Sequence, residues 1–368
     1  MLLKVASRCN LNCTYCYVYN MGDDGWRSQP KRMSGSVQAA IFDQLEDLAR
    51  LQDRPFSVVL HGGEPLLLGA ERLDDLLGSL RGRLPSQCSL HLQTNGTLLD
   101  DEMLDICANY DVGISISLDG PEAANDRFRI DLKGKGSQAR VMEAIQRVRA
   151  HPKAKELFSG LLAVVDPGTD PQEIYTFFKN TGTPSVDFLY RDGNHDLLPF
   201  GKATFDSTEY GQWMSKILDC YLADSAPPKI RVLDDMLKLI LGGMARKEGV
   251  GLSEYGIVII DTDGSINKND TLKSAQSSAD LFSSDWSVLE HSLHEIVNTA
   301  EFQAYHVAQN PSSAECRSCP HLAVCGGGMP AHRWRKDSEF DNPSVFCADQ
   351  QFLIDRMRQW INGQYAAA

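Results

Sequence analysis

The residues of this chain best suited to chemistry are its cysteines. Three of the ten, Cys9, Cys13 and Cys16, fall within eight residues in "SRCNLNCTYCYVYN". Thiolates bind soft metals and iron–sulfur clusters, and three of them on a 4Fe–4S cube leave one iron open to an outside ligand. The C-x3-C-x2-C spacing lets one short loop wrap three corners of a cube, and Asn10, Asn12 and Thr14 suit irregular backbone. Two other readings exist for this spacing. One is a zinc knuckle with its fourth ligand elsewhere, and the other is a redox dithiol formed by Cys13 and Cys16. A second group, Cys316, Cys319 and Cys325 in C-x2-C-x5-C with Cys347 further on, supplies the four thiolates that close a site, for zinc or for a cluster. The remaining Cys88, Cys107 and Cys220 are isolated and read as small buried hydrophobes.

The elements that must position these groups alternate. Six strand-like runs, "LLKVAS", "FSVVLH", "SLHLQT", "VGISISL", "GLLAVV" and "VDFLYR", are separated by helical patterns. Examples are Val37, Ile41, Leu45, Leu48 and Leu73, Leu76, Leu77, Leu80. Alternating β and α elements imply parallel strands joined by right-handed crossovers. Most of the strands end in polar, Gly-containing turns ("HGGEP", "TNGT", "LDGP", "DPG", "RDGN"), which should line one mouth, where such folds place their chemistry. Six repeats fall short of a closed eight-fold barrel, so the expected fold is α/β, a partial (β/α)6 TIM-like barrel over residues 1–200. A helical bridge follows over 201–250, and then a cysteine-bearing region over 251–368. There "YGIVIIDTDGSINKND" reads as a β-hairpin turning at Asp263–Gly264, before a long final helix, "ADQQFLIDRMRQWING".

Composition narrows the function classes. The chain has 368 residues, a formal net charge of −13 and 42% hydrophobic residues, ordinary for a globular protein. The negative balance argues against nucleic-acid binding, which needs a basic footprint. No apolar run approaches the roughly 20 residues that span a bilayer, and "MLLKVASRCN" is too soon polar for a secretory signal. The expected location is the cytoplasm, with no membrane partner.

With the cysteine loop after the first strand and "HGGEP" after the second, the chain resembles the radical SAM superfamily. In that family the three cysteines, with an aromatic residue before the last (Tyr15 here), hold a 4Fe–4S cluster. Its open iron is chelated by S-adenosylmethionine. The resemblance implies that Gly62, Gly63, Glu64 and Pro65 contact the methionine amino group, with the glycines allowing close approach of the backbone and Glu64 accepting from the ammonium. Ser117 and Arg129 match positions near ribose and carboxylate, and Asn95 is a further contact. The family's reaction begins with reductive cleavage of the cofactor to a 5′-deoxyadenosyl radical, which takes a hydrogen atom from substrate. An electron donor such as flavodoxin or ferredoxin is implied.

The cysteines at 316–347 resemble the SPASM extension of radical SAM peptide maturases, which in full form carries seven cysteines and two auxiliary clusters. This chain departs from that form. Asn269 stands where a cysteine should follow Gly264, Met329 stands where one should follow Cys325, and no cysteine occurs between 221 and 263. The resemblance then implies two 4Fe–4S clusters in all: a radical-forming one on Cys9, Cys13 and Cys16, and one auxiliary cluster on Cys316, Cys319, Cys325 and Cys347. The stretch "DFLYRDGNHDLLPFGK" resembles the corresponding segment of maturases that form three-residue cyclophanes on ribosomal precursor peptides. In those enzymes an aromatic ring carbon is joined to the Cβ of a residue two positions on. Asp192, His195 and Asp196 are candidates to take the proton the ring must lose. The alternatives are a sulfatase-type maturase that makes formylglycine, a thioether-forming maturase, and a zinc-stabilised binding protein. With the cysteine loop starting at residue 9, no N-terminal leader-binding domain is expected; leader capture is expected to use the barrel, the bridge helices or the tail, and the "GIVIID" edge is a place where a peptide strand could add.

Overall fold

The computed structural model describes residues 1–52, 54–245, 247–252 and 256–367; Tyr255, which opens the hairpin stretch, lies outside them. The chain divides into two compact units. The first comprises 1–118, 125–161 and 256–305, and the second 119–124, 162–255 and 306–368.

In the first unit the strands β1 (Leu2–Ala6), β2 (Val58–Gly62), β3 (Leu90–Thr94) and β4 (Val112–Ser117) alternate with helices. These are α1 (Gly35–Leu51), α2 (Ala70–Arg83) and α3 (Asp101–Asn109), with α4 (Gln138–Ala150) after β4. The strands pair in parallel in the order 4-3-2-1. Capping begins the helices where the sequence offers it: Ser34 Oγ accepts from Val37 N at 3.3 Å and Asp100 Oδ1 from Met103 N at 2.9 Å. The apolar faces of α1 and α2 are buried as their spacing requires, through Val37, Ile41, Leu45, Leu48 and Leu73, Leu76, Leu77, Leu80.

The strands are not apolar on both faces, as strands of a fully covered parallel sheet would be. In β2 and β3 the buried Val58, Leu60, Leu90 and Leu92 alternate with the half-buried His61, His91 and Gln93. Lys4 occupies the middle of β1 at 5% exposure. One face of the sheet packs against helices, and the other presents polar groups.

Two short strands, β8 (Ile259–Ile260) and β9 (Ile266–Asn267), form the expected hairpin and complete the first unit. β8 pairs in parallel with β1 on its other side. Beyond β9, Ile266 N donates to Trp286 O at 2.8 Å and Lys268 N to Asp280 O at 2.7 Å. The expectation of a free "GIVIID" edge is therefore corrected: both sides of β8 are paired, and a following segment covers β9.

The second unit holds most of the remaining elements. The unit boundary falls inside β5 (Phe158–Val164), and β6 (Ser185–Leu189) and β7 (Lys229–Ile230) continue in the order 7-6-5, with β6 and β7 parallel. α5 (Pro171–Thr181) leads into β6, and α6 (Glu209–Ala223) and α7 (Arg231–Ile240) follow it. α8 (Cys347–Ala367) closes the chain. The strand order does not return on itself in either unit, so the sheet is open, as in a partial barrel. Of the isolated cysteines, Cys88 and Cys107 are buried as expected. Cys220, on α6, is only half-buried, which corrects its reading as a core residue.

Candidate functional site

The cysteine loop follows β1 directly and is anchored through its backbone. Asn12 N donates to Ile130 O at 2.7 Å, Thr14 N to Phe128 O at 3.0 Å, and Cys16 N to Cys13 O at 2.9 Å. Burial pushes the Cys9 thiol up to about 12, and the nearby Glu64, Cys13 and Cys16 push the same way. Burial likewise raises Cys16 to about 11, with Cys13 adding to it. The three sulfurs thus lie close enough to feel one another in a dehydrated loop. A metal centre stabilises such sulfurs as thiolates and displaces their protons.

Glu64 stands next to this loop, 1% exposed. Its Oε1 accepts from Thr94 Oγ1 at 2.6 Å and Leu66 N at 3.0 Å, and its Oε2 accepts from Asn95 N at 2.8 Å. Burial raises its pKa, while these donors and Arg129 oppose the rise. A carboxylate offers about four lone-pair positions; three are taken, which leaves room for one further donor such as an ammonium. Pro65 opens the short 3-10 turn that Glu64 caps. Asn95 Nδ2 reaches Asn10 Oδ1 at 2.9 Å and Cys9 Sγ at 3.7 Å, so it ties the β3 turn to the first cysteine.

The two glycines of "HGGEP" allow a close approach of backbone to backbone. A Cβ on Gly62, at φ +140°, would lie 2.0 Å from Ala6 O. A Cβ on Gly63 would lie 2.0 Å from Tyr19 Oη and 2.3 Å from Arg8 O. Gly63 N donates to Ala6 O at 2.8 Å and Glu64 N to Arg8 O at 2.9 Å. The glycines let the β2 turn close against the start of the cysteine loop, and that closure aims Glu64.

Arg129 is buried, and its Nη1 donates to Tyr15 Oη at 2.8 Å, so both residues meet beside the cysteines. Ser117, at the end of β4, accepts from Gln93 Nε2 at 3.0 Å on the polar face of the sheet. Two features of this region escape motif reading. Thr94 makes the shortest bond to Glu64. Lys4 Nζ lies 3.1 Å from Asp261 Oδ2 and 2.7 Å from Asp270 Oδ2. Burial tends to lower the Lys4 pKa, and the two aspartates more than reverse that. A lysine in mid-strand was the available signal that this strand face is polar.

In the second unit Cys316, Cys319, Cys325 and Cys347 lie within electrostatic reach of one another, although among the described residues no three His, Cys, Asp or Glu side chains are grouped to hold a single metal ion. Burial lifts Cys325 to about 12, with Cys347, Cys316 and Cys319 all adding to it; burial also lifts Cys347 to about 11. Gly326, at φ +65°, turns the chain tightly past Cys325, where a Cβ would meet Gly251 O at 1.9 Å. Gln351 Nε2 donates to Cys347 Sγ at 3.5 Å. Arg333 is 1% exposed and donates to Ala308 O and Gln309 O. Burial lowers it to about 10 while Cys316 and Cys325 pull it back up. Four thiols and a fixed cation suit a closed, anionic cluster.

The candidate bases after β6 separate in the structure. His195 Nε2 bonds Pro343 O at 2.8 Å, and its backbone N donates to Trp334 O. Asp196 is exposed and accepts from Lys336 N at 2.8 Å. Asp192 Oδ1 instead lies 3.8 Å from Nε2 of His332, a buried residue stacked edge-on against Phe346. His332 was not singled out in the sequence, where it sits amid the glycines and arginines after Cys325.

Residues 3–179 match the Radical SAM superfamily. The protein is an enzyme, similar to radical SAM proteins over that stretch. A cysteine-type anaerobic sulfatase-maturating enzyme of Clostridium novyi (strain NT) is 22% identical over 97% of this chain and 94% of its own. The structure of native anSMEcpe with bound AdoMet superposes with a TM-score of 0.82 at 22% identity, over 98% of each chain. Streptococcus suis SuiB bound to precursor peptide SuiA gives a TM-score of 0.63 at 16% identity, over 94% of this chain and 74% of SuiB. The chain thus has the α/β, partial-barrel fold expected from its alternating strands and helices. Among the described residues, no helix is long and apolar enough to cross a membrane.

Proposed function

We propose that this enzyme is a cytoplasmic maturase that joins an aromatic side chain of a ribosomally made peptide to the Cβ of a residue two positions on. The observation that carries the radical step is the three-thiol loop beside a buried Glu64 with one acceptor position left. The chemistry of this donor set fits a 4Fe–4S cluster on Cys9, Cys13 and Cys16, and Glu64 fits the ammonium of S-adenosylmethionine. When bound, the cluster and S-adenosylmethionine supply a hydrogen-abstracting radical. The protein's part is positioning: Glu64, held by Thr94, Leu66 and Asn95, fixes the ammonium end, while Arg129 and Tyr15 face the carboxylate and Ser117 the ribose.

The proposed product follows from two replaced ligands. Asn269 caps the turn Asp270–Ser274, its Oδ1 accepting from Thr271 N at 3.1 Å, and Met329 packs against Gly249. These positions are filled by structural side chains, which supports a single auxiliary cluster on Cys316, Cys319, Cys325 and Cys347. A cluster closed by four thiolates suits electron relay. Crosslinking breaks one Cβ–H and one ring C–H bond and forms one C–C bond. The Cβ hydrogen atom would pass to the radical that bound S-adenosylmethionine supplies, and the ring would then give up a proton and an electron. The Asp192–His332 couple is the proposed proton acceptor; a cluster held by Cys316, Cys319, Cys325 and Cys347 would supply the capacity to accept the electron, and a flavodoxin or ferredoxin would be the external reductant.

Formylglycine formation is the second reading, favoured by similarity to the sulfatase-maturating enzymes along the whole chain. The two are separated by mass spectrometry of peptides offered to the reconstituted enzyme. Loss of two hydrogens from a peptide with an aromatic-x-x motif and no Cys or Ser supports crosslinking. Conversion only of peptides with Cys or Ser supports formylglycine.

A further inference from the structure

The loop that follows β6 in the second unit, residues 192–209, is fixed by hydrogen bonds along its length. Asn194 N donates to Leu197 O at 2.8 Å, and Asn194 Oδ1 accepts from Asp196 N and Leu197 N at 2.9 Å. His195 N donates to Trp334 O at 3.0 Å, and Lys202 N to Pro199 O at 3.1 Å. The chain closes so tightly here that a Cβ on Gly193 would lie 2.7 Å from Pro199 N.

This fixed loop turns its large apolar side chains outwards. Leu197 is 58% exposed, Phe205 53%, Phe200 47% and Leu198 36%. The Phe205 ring lies 5.7 Å from that of His195, and the Arg191 guanidinium sits 4.8 Å over Phe200, so each ring has a definite place. Single apolar residues at a surface are ordinary, whereas several on one loop mark an interaction site.

The charges of the loop say what covers it. Its acidic side chains are Asp192, Asp196, Asp206 and Glu209, of which Asp196 and Asp206 are exposed. Its one lysine, Lys202, is fully buried against Asp349. The adjoining turn, whose Lys336 N donates to Asp196, is neutral overall, with Arg335 and Lys336 standing against Asp337 and Glu339. The surface is therefore apolar and anionic together. A second copy of the chain would bring like charges face to face, and an anionic membrane would repel them. The complement is a segment that carries large apolar residues with Lys or Arg beside them.

We infer that the loop 192–209 docks a segment of the peptide substrate that carries both apolar and basic side chains. The inference rests on the reading of the substrate as a peptide, and it deepens that reading by naming what the enzyme grips. Asp192, 3.8 Å from His332, opens the same loop, so a chain docked here is anchored on the segment that carries the proposed base.

The test is fluorescence anisotropy of the reconstituted enzyme with a labelled peptide of three Lys-Leu-Phe-Lys repeats. Comparison peptides carry Glu-Leu-Phe-Glu or Lys-Ser-Ser-Lys repeats. Saturable binding of the first peptide alone is expected, weakened about tenfold or more in Leu197→Ser/Phe205→Ser, the scale of lost interface anchors. Both side chains are exposed, so the melting transition should stay in place; should it fall, Leu197→Ser alone repeats the test with a smaller weakening expected. Absence of saturable binding, equal binding of either comparison peptide, or unchanged affinity in the variants overturns the inference. So does a dimer in sedimentation that the double variant disperses, since a second copy then covers the loop. Binding needs no cofactor cleavage, so docking with no peptide ever modified would sink the maturase reading alone. Modification of a peptide that the double variant binds as tightly as the parent would sink the docking inference alone.

Discussion

Replacing Lys202 by Met tests how the second unit holds the helix that carries Cys347. Lys202 Nζ lies 2.6 Å from Asp349 Oδ2, and both side chains are fully buried. Asp349 stands two residues into α8, and its Oδ1 also accepts from Gly211 N at 2.7 Å, which fastens α8 to α6. Lys202→Met keeps most of the stem but leaves the carboxylate with a single donor. Removing one partner of a buried pair costs about 3–5 kcal/mol, and at roughly 2–4 °C per kcal/mol for a unit of this size the melting transition should fall by about 6–20 °C.

The loss should depend on pH with a definite sign. Burial already raises the Asp349 pKa against the pull of Lys202 and Gly211 N, and removing the lysine raises it further. Below the unfolded value of about 3.9 the carboxyl is protonated in both states and the penalty vanishes. As pH rises from there towards the folded value, the unfolded chain releases a proton that the folded one keeps, so stability is lost. Thermal unfolding followed by circular dichroism should therefore show a larger deficit at about pH 8 than at about pH 5.5. The double variant Lys202→Met/Asp349→Leu should recover much of it. A single-variant transition within about 2 °C of the parent at the higher pH, or a deficit that shrinks as pH rises, would refute the reasoning.

Other expectations concern the first unit and the proposed base. Thr94→Val removes the 2.6 Å bond to Glu64; a bond to a charged group is worth about 1.5–3 kcal/mol, so S-adenosylmethionine should bind roughly 10–150-fold more weakly by equilibrium dialysis. Gly63→Ala drives a Cβ into Tyr19 Oη and Arg8 O; overpacking of this kind costs about 1–3 kcal/mol or more, and the soluble variant should lose the iron of one cluster on elemental analysis. Asp192→Asn and His332→Gln should still form 5′-deoxyadenosine while crosslinked product falls by about 10²-fold or more, the scale of general base catalysis. His195→Gln, which disturbs a loop bond to Pro343, should leave the ratio of crosslink to 5′-deoxyadenosine unchanged.

Much of the site was legible because its signals are local. Strand, helix and turn follow one another with regular spacing, and each motif sits on a single loop, so Cys9, Cys13, Cys16 and Glu64 could be placed from sequence. What escaped depends on contacts between distant segments. The "GIVIID" hairpin looked free because its partner β1 lies more than two hundred residues earlier. The approach of Ala6 and Arg8 to the glycines at 62 and 63 is likewise invisible in the sequence. Thr94 carried no motif of its own, and His332 acquires its partner Asp192 from a loop about 140 residues away. Asp192, His195 and Asp196 look equivalent in "RDGNHD", and only the bonds of His195 to Pro343 and of Asp196 to Lys336 separate them.

The account stands or falls on two centres, an open three-thiol cluster and a closed four-thiol one. Anaerobic reconstitution with iron and sulfide, followed by reduction with S-adenosylmethionine and quantitation of iron and 5′-deoxyadenosine, measures both at once. The expected result is roughly eight irons per chain and steady 5′-deoxyadenosine formation. Cys13→Ala should lose both about half the iron and all of the product, while Cys347→Ala should lose a similar share of iron yet still cleave the cofactor. Zinc in place of iron, or cofactor cleavage that survives Cys13→Ala, would contradict it.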